Sequence, residues 1–124
     1  MTRELRELLF SVTTQVREIR ALAIVDQNGL TLESTMSTGT LEDSLAAFGG
    51  AMAAQLERAK RDFESGPVYL AHILARDRQL FVVPVDSERA LAAIVEAHAT
   101  PSTISVHLLA LAREVQPLLP PDTP

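Results

Sequence analysis

The sequence predicts an α/β domain of the α+β type: a five-stranded antiparallel sheet in the order α-β-β-α-β-β-β-α, with one helix on one face and two on the other. Three observations carry this reading. Residues 41–63 repeat large apolar side chains in steps of four and three, which traces one face of a helix. Asn28-Gly29 separates two short apolar runs, a strong hairpin signal because Asn and Gly both accept positive φ. Segments 68–75, 79–85 and 89–98 are joined by tight charged links too short for a crossover, so neighbouring strands must run antiparallel.

Residues 4–20 read as an amphipathic helix, with Leu5, Leu8, Leu9, Val12, Val16 and Ile19 on one side, Thr2 as its cap and Glu4 in its first turn. Residues 21–26 and 30–35 form the two arms of the hairpin, and 36–39 a polar loop. Thr40 with Asp43 makes a variant capping box that opens the central helix, and Ser65-Gly66-Pro67 closes it. The last turns of that helix hold a charge cluster in which Glu57 and Arg61 stand in the favourable i,i+4 order. In the next strand Val68, Leu70, His72 and Leu74 share a face. Pro84 cannot donate to a ladder, so it belongs where the strand ends or faces outward. Residues 89–98 fit a helix or a strand buried on both faces, and the two strands before them favour a third strand of a meander. Thr100-Pro101 opens a closing helix with the stripe Ile104, Leu108, Leu111 and Val115. Pro117, Pro120, Pro121 and Pro124 then make an extended tail, so the domain covers residues 1–116 and the proline-rich C-terminal tail 117–124.

The central helix carries two contrasting faces. Leu41, Leu45, Phe48, Met52, Leu56, Ala59 and Phe63 are expected to cover the protein's own sheet. Ala46, Ala47, Gly49, Gly50, Ala51, Ala53 and Ala54 form a face without bulk. Two adjacent helical glycines cost about 1 kcal/mol each relative to alanine, and close approach of another backbone is the compensation expected, here the same helix of a second copy. A bland alternative is that the glycines are tolerated near a kink. On the dimer reading, Gly50→Leu should overpack that contact by ~1–3 kcal/mol and shift the protein towards monomer.

Composition narrows the function. The chain of 124 residues is 47% hydrophobic and 22% charged, enough for one domain with a core. A net charge of −5 argues against a nucleic-acid partner or an anionic membrane surface. There is no Cys, which removes disulfides and thiolate metal sites. Residues 1–10 carry charges through their apolar positions, unlike a signal peptide, and no apolar run is long enough to span a bilayer, so a cytoplasmic location and no membrane insertion are expected. His72, His98 and His107 lack metal-ligand spacing, and no phosphate loop, dinucleotide fingerprint or nucleophile elbow is present. The expectation is an interaction module with no catalytic residue, no metal and no cofactor, rather than an enzyme.

The stretch Ala-Leu-Ala-Ile-Val-Asp-Gln-Asn-Gly-Leu at 21–30, the Ala/Gly-rich helix from Leu45 and Leu-Phe-Val-Val-Pro-Val at 80–85 come in an order and spacing that resembles the Roadblock (dynein light chain) family, and within it the bacterial MglB-like proteins. The resemblance spans roughly residues 4–116; longin and profilin-like folds share parts of the topology, and the alanine-rich last strand departs from the family pattern. It implies a homodimer or a Roadblock-family heterodimer in which central helices pack together and the strands after them pair. Mapped here, the dimer interface takes Ala46, Gly49, Gly50, Ala53, Ala54 and Glu57 from the helix and Val68, Leu70, His72 and Leu74 from the strand. It also implies a small Ras-like GTPase as partner, regulated by repositioning the GTPase's own residues. Arg58, Lys60, Arg61, Arg76 and Arg78 are therefore not arginine fingers, and Arg58, Arg61 and Asp62 are the candidates for GTPase contact. The alternatives are a structural or adaptor subunit of the same fold that leaves hydrolysis unchanged, and a profilin-like small-ligand sensor.

Overall fold

The computed structural model describes residues 2–36 and 39–121. Met1, the loop residues Ser37 and Thr38, and Asp122, Thr123 and Pro124 of the expected tail lie outside the described residues, as does the side chain of the expected cap Thr2. The elements are α1 (Thr2–Gln15), β1 (Ile19–Asp26), β2 (Thr31–Ser34), α2 (Thr40–Asp62), β3 (Ala71–Leu74), β4 (Arg78–Pro84), β5 (Arg89–Glu96) and α3 (Pro101–Val115), followed by a 3₁₀ turn at Gln116–Leu118.

The five strands form one sheet in the order β2-β1-β5-β4-β3, every pair antiparallel. Alternation along the strands divides the core in two. Leu22, Ile24, Phe81, Val83, Leu91 and Val95 face α1 and α3, where Leu5, Leu9, Ile104, Leu108, Leu111 and Val115 meet them. Ala21, Ala23, Val25, Val82, Ala90, Ala92 and Ile94 face α2. One helix therefore lies on one face and two on the other, as the patterning predicts. Residues 89–96 are the strand of the meander and the most buried one, with Leu91, Ala92, Ala93 and Val95 fully enclosed.

Several local expectations are corrected. The first helix stops at Gln15 rather than Arg20, because Ile19 is drawn into β1 opposite Val95 and is 1% exposed there. The hairpin turn does not use positive φ at both residues: Gly29 alone has it, at 82°. Asp26 closes a three-residue loop instead. Its N–H donates to Leu30 O (3.0 Å), its carbonyl accepts from Gly29 N (3.0 Å), and its Oδ1 accepts from Asn28 N (2.8 Å) and Leu30 N (3.1 Å). The Thr40–Asp43 capping box does not form; Gly39 is the N-cap and its carbonyl accepts from Asp43 N. The helix ends at Asp62, four residues before Gly66, and the chain turns left-handed twice after it, at Glu64 (φ 51°) and at Gly66 (φ 78°). Glu57 pairs with Lys60 at 3.2 Å, not with Arg61. The strand expected from residue 68 begins only at Ala71. After Val115 the described chain first makes the 3₁₀ turn at Gln116–Leu118 and becomes extended at Leu119, which is 7% exposed against the α1/α3 side of the core.

The largest correction concerns the small face of α2. Ala46, Gly49, Gly50 and Ala53 are buried beneath the helix, against the protein's own sheet. A Cβ on Gly49 would sit 3.0 Å from Val25 Cγ2 and 3.1 Å from Ala92 Cβ. A Cβ on Gly50 would sit 2.6 Å from the Asp26 carbonyl and 2.9 Å from Gly29 N. The close backbone approach expected of the glycine pair exists, but its partner is the β1–β2 turn of the same chain.

A second fixed point is the β4–β5 turn. Asp86 Oδ1 accepts from the N–H groups of Glu88 (2.9 Å) and Arg89 (2.8 Å), and Asp86 Oδ2 accepts from Arg89 Nη2 (2.6 Å). Both side chains are largely buried, at 11% exposure for Arg89 and 14% for Asp86. Gln27 ties this turn to the β1–β2 loop, donating from its amide to Ser87 O at 2.5 Å and from its backbone to Glu88 O at 3.0 Å. Arg89 Nη1 also donates to Pro120 O at 2.6 Å and so holds the chain that follows α3.

Two outcomes follow from these contacts. Gly50→Ala should lower unfolding free energy by about 1–3 kcal/mol through overpacking onto the turn, read as a lower urea midpoint. Burial pushes the Asp86 carboxyl up, but the Arg89 guanidinium and the two turn N–H groups outweigh it and hold its pKa below the usual carboxylate range. A carboxylate depressed in the folded state contributes stability that is present above its unfolded pKa and lost as pH falls through the folded one. Asp86→Asn should therefore cost about 1–3 kcal/mol at neutral pH, and urea midpoints should show the gap from wild type narrowing below about pH 4.

Candidate interaction surface

The residues expected at a dimer contact separate into two groups. Ala46, Gly49, Gly50 and Ala53 are enclosed by the fold and present nothing to a partner. Their place in that expectation is corrected for a geometric reason: a helix face without bulk can touch a backbone only once, and here the sheet and its turn already do so. Ala54 and Glu57 are half-buried and remain reachable. Val68 and Leu70 lie in the extended chain before β3, with Leu70 packed onto the α1/α3 side of the core. His72 is inside β3, and Leu74 at its end is 67% exposed.

The large residues of α2 are not the helix's main contact with the sheet. Leu45 alone of that row is fully buried, at 4% exposure. Phe48, Met52 and Leu56 are half-buried, Leu41 is 52% exposed and Phe63 is 80% exposed. With the glycines and alanines pointing straight down, this row is rotated onto the flank of the helix. Gly50 packs on the β1–β2 turn, so the flank opposite it faces the β4–β3 side, where Leu80 and Ala71 join the same cluster. β3 closes the sheet on that side, and only β4 pairs with it. It adds Ile73 at 40% exposure and, just before it, Tyr69 at 69%. An apolar strip thus runs beside a strand edge whose outer N–H and C=O groups have no strand neighbour among the described residues.

The edge strand is held rigidly. His72 stacks on Phe81 with ring centroids 4.3 Å apart and lies 2.7 Å from Gln79 Oε1. Gln79 is fully buried, and its amide nitrogen donates to the carbonyls of Glu96 (3.1 Å), Ala97 (3.3 Å) and Ala99 (2.7 Å). Since Gln79 Oε1 is an acceptor only, His72 Nε2 must carry the proton. The network fixes β3 to the loop that leads into α3.

Arg58, Arg61 and Asp62 are brought together on the last turns of α2. Asp62 meets Arg58 at 3.8 Å and Arg61 at 3.4 Å, all solvent-exposed. Pairs of this kind contribute little to stability and leave the guanidinium groups free to exchange partners. Among the described residues no three His, Asp or Glu side chains are grouped as a metal site, and no helix is long and apolar enough to cross a membrane.

The flank residues carry a signal in the sequence, though an indirect one. Alanines recur at 21, 23, 90 and 92, every second residue of β1 and β5. A sheet face this shallow calls for a helix that can descend onto it, and the only helix face able to do so is the small one.

Residues 5–96 match the model of the Roadblock/LC7 domain. No curated protein matches the chain. Among solved structures, a Roadblock/LC7 domain from Streptomyces avermitilis superposes with a TM-score of 0.81 at 18% identity, covering 91% of this chain and 95% of that one. Myxococcus xanthus MglB gives 0.80 at 15% identity over 93% and 94%. An MglB with a tetrameric arrangement gives 0.78 at 15% identity over 94% and 88%. At these identities the superpositions speak for the fold, while the family model covers most of the chain: the protein belongs to the Roadblock/LC7 family.

Proposed function

We propose that this protein is a dimeric regulatory scaffold, itself no enzyme, that binds a small Ras-like GTPase and modulates its GTP hydrolysis without supplying a catalytic arginine. The observation that carries the reading is the apolar strip beside the unpaired edge of β3. Exposed strand edges are normally blunted with charge, bulges or a covering element. β3 has none of these along Ala71–Leu74. A second Roadblock chain covers such an edge by adding its own strand antiparallel to it, while the α2 flank supplies the apolar contact. Family membership and the likeness to MglB support the GTPase as partner.

The arginines of the α2 C-terminal turns fit a contact role. An arginine finger needs a guanidinium positioned for a developing phosphoryl charge. Arg58 and Arg61 are 63% and 72% exposed and engaged with Asp62, which suits steering and recognition of a charged partner surface. Whether the dimer is of two identical chains or of two family members is answered by the protein in isolation, since only a homodimer forms from one chain.

The reading is tested in two steps. Sedimentation of the full chain should give a dimer, and Ile73→Lys, which places a charge on the free edge, should weaken it by about tenfold or more with the fold retained. Mixed with a GTP-loaded Ras-like GTPase encoded beside it, the protein should form a complex and change the single-turnover hydrolysis rate. Binding with an unchanged rate would select the adaptor subunit instead, and absence of any complex would overturn the GTPase reading.

A further inference from the structure

We propose that Asp62-Phe63-Glu64, at the end of α2, is a plug received by a second copy of this chain in the cleft at the start of that copy's α2. The inference rests on the dimeric reading above and specifies what the partner copy contributes.

The plug is the most conspicuous apolar feature of the surface. Phe63 is 80% exposed, the highest value among the exposed large hydrophobic residues. It is no frayed end: Phe63 N–H donates to Ala59 O at 3.0 Å, and Glu64 at φ 51° turns the chain off sharply behind it. Acidic side chains flank the ring on both sides. Asp62 is shared by Arg58 and Arg61, while Glu64 has no ion-pair partner among the described residues.

The cleft has the complementary character. It encloses about 540 Å³ between the first turn of α2 and the adjoining ends of β1, β4 and β5. Ala21 and Ile94 line it, with Met36 and the 52%-exposed Leu41 beside them. Arg20, Arg78 and His98 also line it, together with Asp77 and Glu96. The acidic groups there are already engaged. Glu96 meets Arg20 and His98 at 3.1 Å each, and Asp77 takes both bonds of Arg76, at 3.0 and 3.1 Å. Arg78 is left without an ion-pair partner among the described residues, in a chain whose net charge is −5. A largely polar cleft with apolar side chains at Ala21, Met36, Leu41 and Ile94 and an unspent guanidinium at Arg78 fits an aromatic ring with a carboxylate beside it.

The two features cannot meet within one molecule. They stand at opposite ends of a 23-residue helix, separated by roughly 34 Å at 1.5 Å per residue. Leu41 and Phe63 nevertheless share the flank of α2 that carries Phe48 and Met52. Two copies related by a two-fold axis, with these flanks antiparallel, set each plug at the other's cleft, and the contact is made twice and closes on itself.

Sedimentation equilibrium on the full chain tests this, comparing wild type with Phe63→Ala, Glu64→Arg, Arg78→Glu and the double reversal Glu64→Arg/Arg78→Glu, with melting curves to confirm folding. Phe63→Ala and each single reversal should raise the dimer Kd tenfold or more, and the double reversal should return it to within threefold of wild type. A dimer of unchanged Kd in Phe63→Ala overturns the proposal, as does a folded double reversal that fails to recover. Phe63→Ala alone decides if Arg78→Glu does not fold, because the Phe63 side chain makes little contact with its own domain. A monomeric wild type overturns this and the dimeric reading together. A dimer that survives Phe63→Ala yet is weakened by Ile73→Lys overturns the plug and leaves that reading standing.

Discussion

The architecture depends on one contact, the seating of a backbone on a backbone where Gly50 of α2 meets Asp26 and Gly29 of the β1–β2 turn. No side chain fits between them, since even a methyl group at Gly50 would come within 2.6 Å of a carbonyl oxygen. The alanines of β1 and β5 extend the same close approach across the sheet, and Gly49 completes it against Val25 and Ala92. Small residues on both sides bring the helix axis down, which recovers through dispersion and burial what two helical glycines lose in propensity. Everything else about α2 follows from this seating. Once the small face is down, the large row can only go sideways.

That rotation separates the face that seats the helix from an apolar flank left partly exposed. Had Phe48, Met52 and Leu56 been directed at the sheet, the helix would stand higher and cover its own apolar residues. Instead they are only partly buried and stand on the flank towards β3, one of the sheet's two edge strands. A strand end held by the His72–Gln79 network is a template of fixed shape, and a preorganised edge reduces the ordering cost of a partner's arrival.

Much of the fold was legible because its signals are local. Asn28-Gly29, Thr100-Pro101 and the stripe Ile104-Leu108-Leu111-Val115 each speak for a few residues, and the order of elements follows from them. Strand β5 was decided by its neighbours rather than its own pattern, as a strand buried on both faces has no alternation to show. The face of α2 was misjudged because periodicity reveals that a helix has two faces without saying which lies down. Large residues towards the core is the usual rule, and it fails when the opposing sheet is itself paved with alanine. Element ends were the other weakness. Gly66 and the Thr40–Asp43 pair have the right chemistry for caps, but Phe63 and Gly39 hold those positions. That β3 lies at a sheet edge is a property of the strand order, which no local signal along residues 68–75 shows.

The segment after α3 has a practical meaning for anyone handling the molecule. Leu119 is embedded beside α3, and the carbonyl of Pro120 receives the Arg89 guanidinium, the same group that braces the β4–β5 turn. Cutting the gene at the last helical codon would therefore strip a hydrophobic anchor and an acceptor from that bracket, whereas an affinity tag joined after Pro121 would leave both intact.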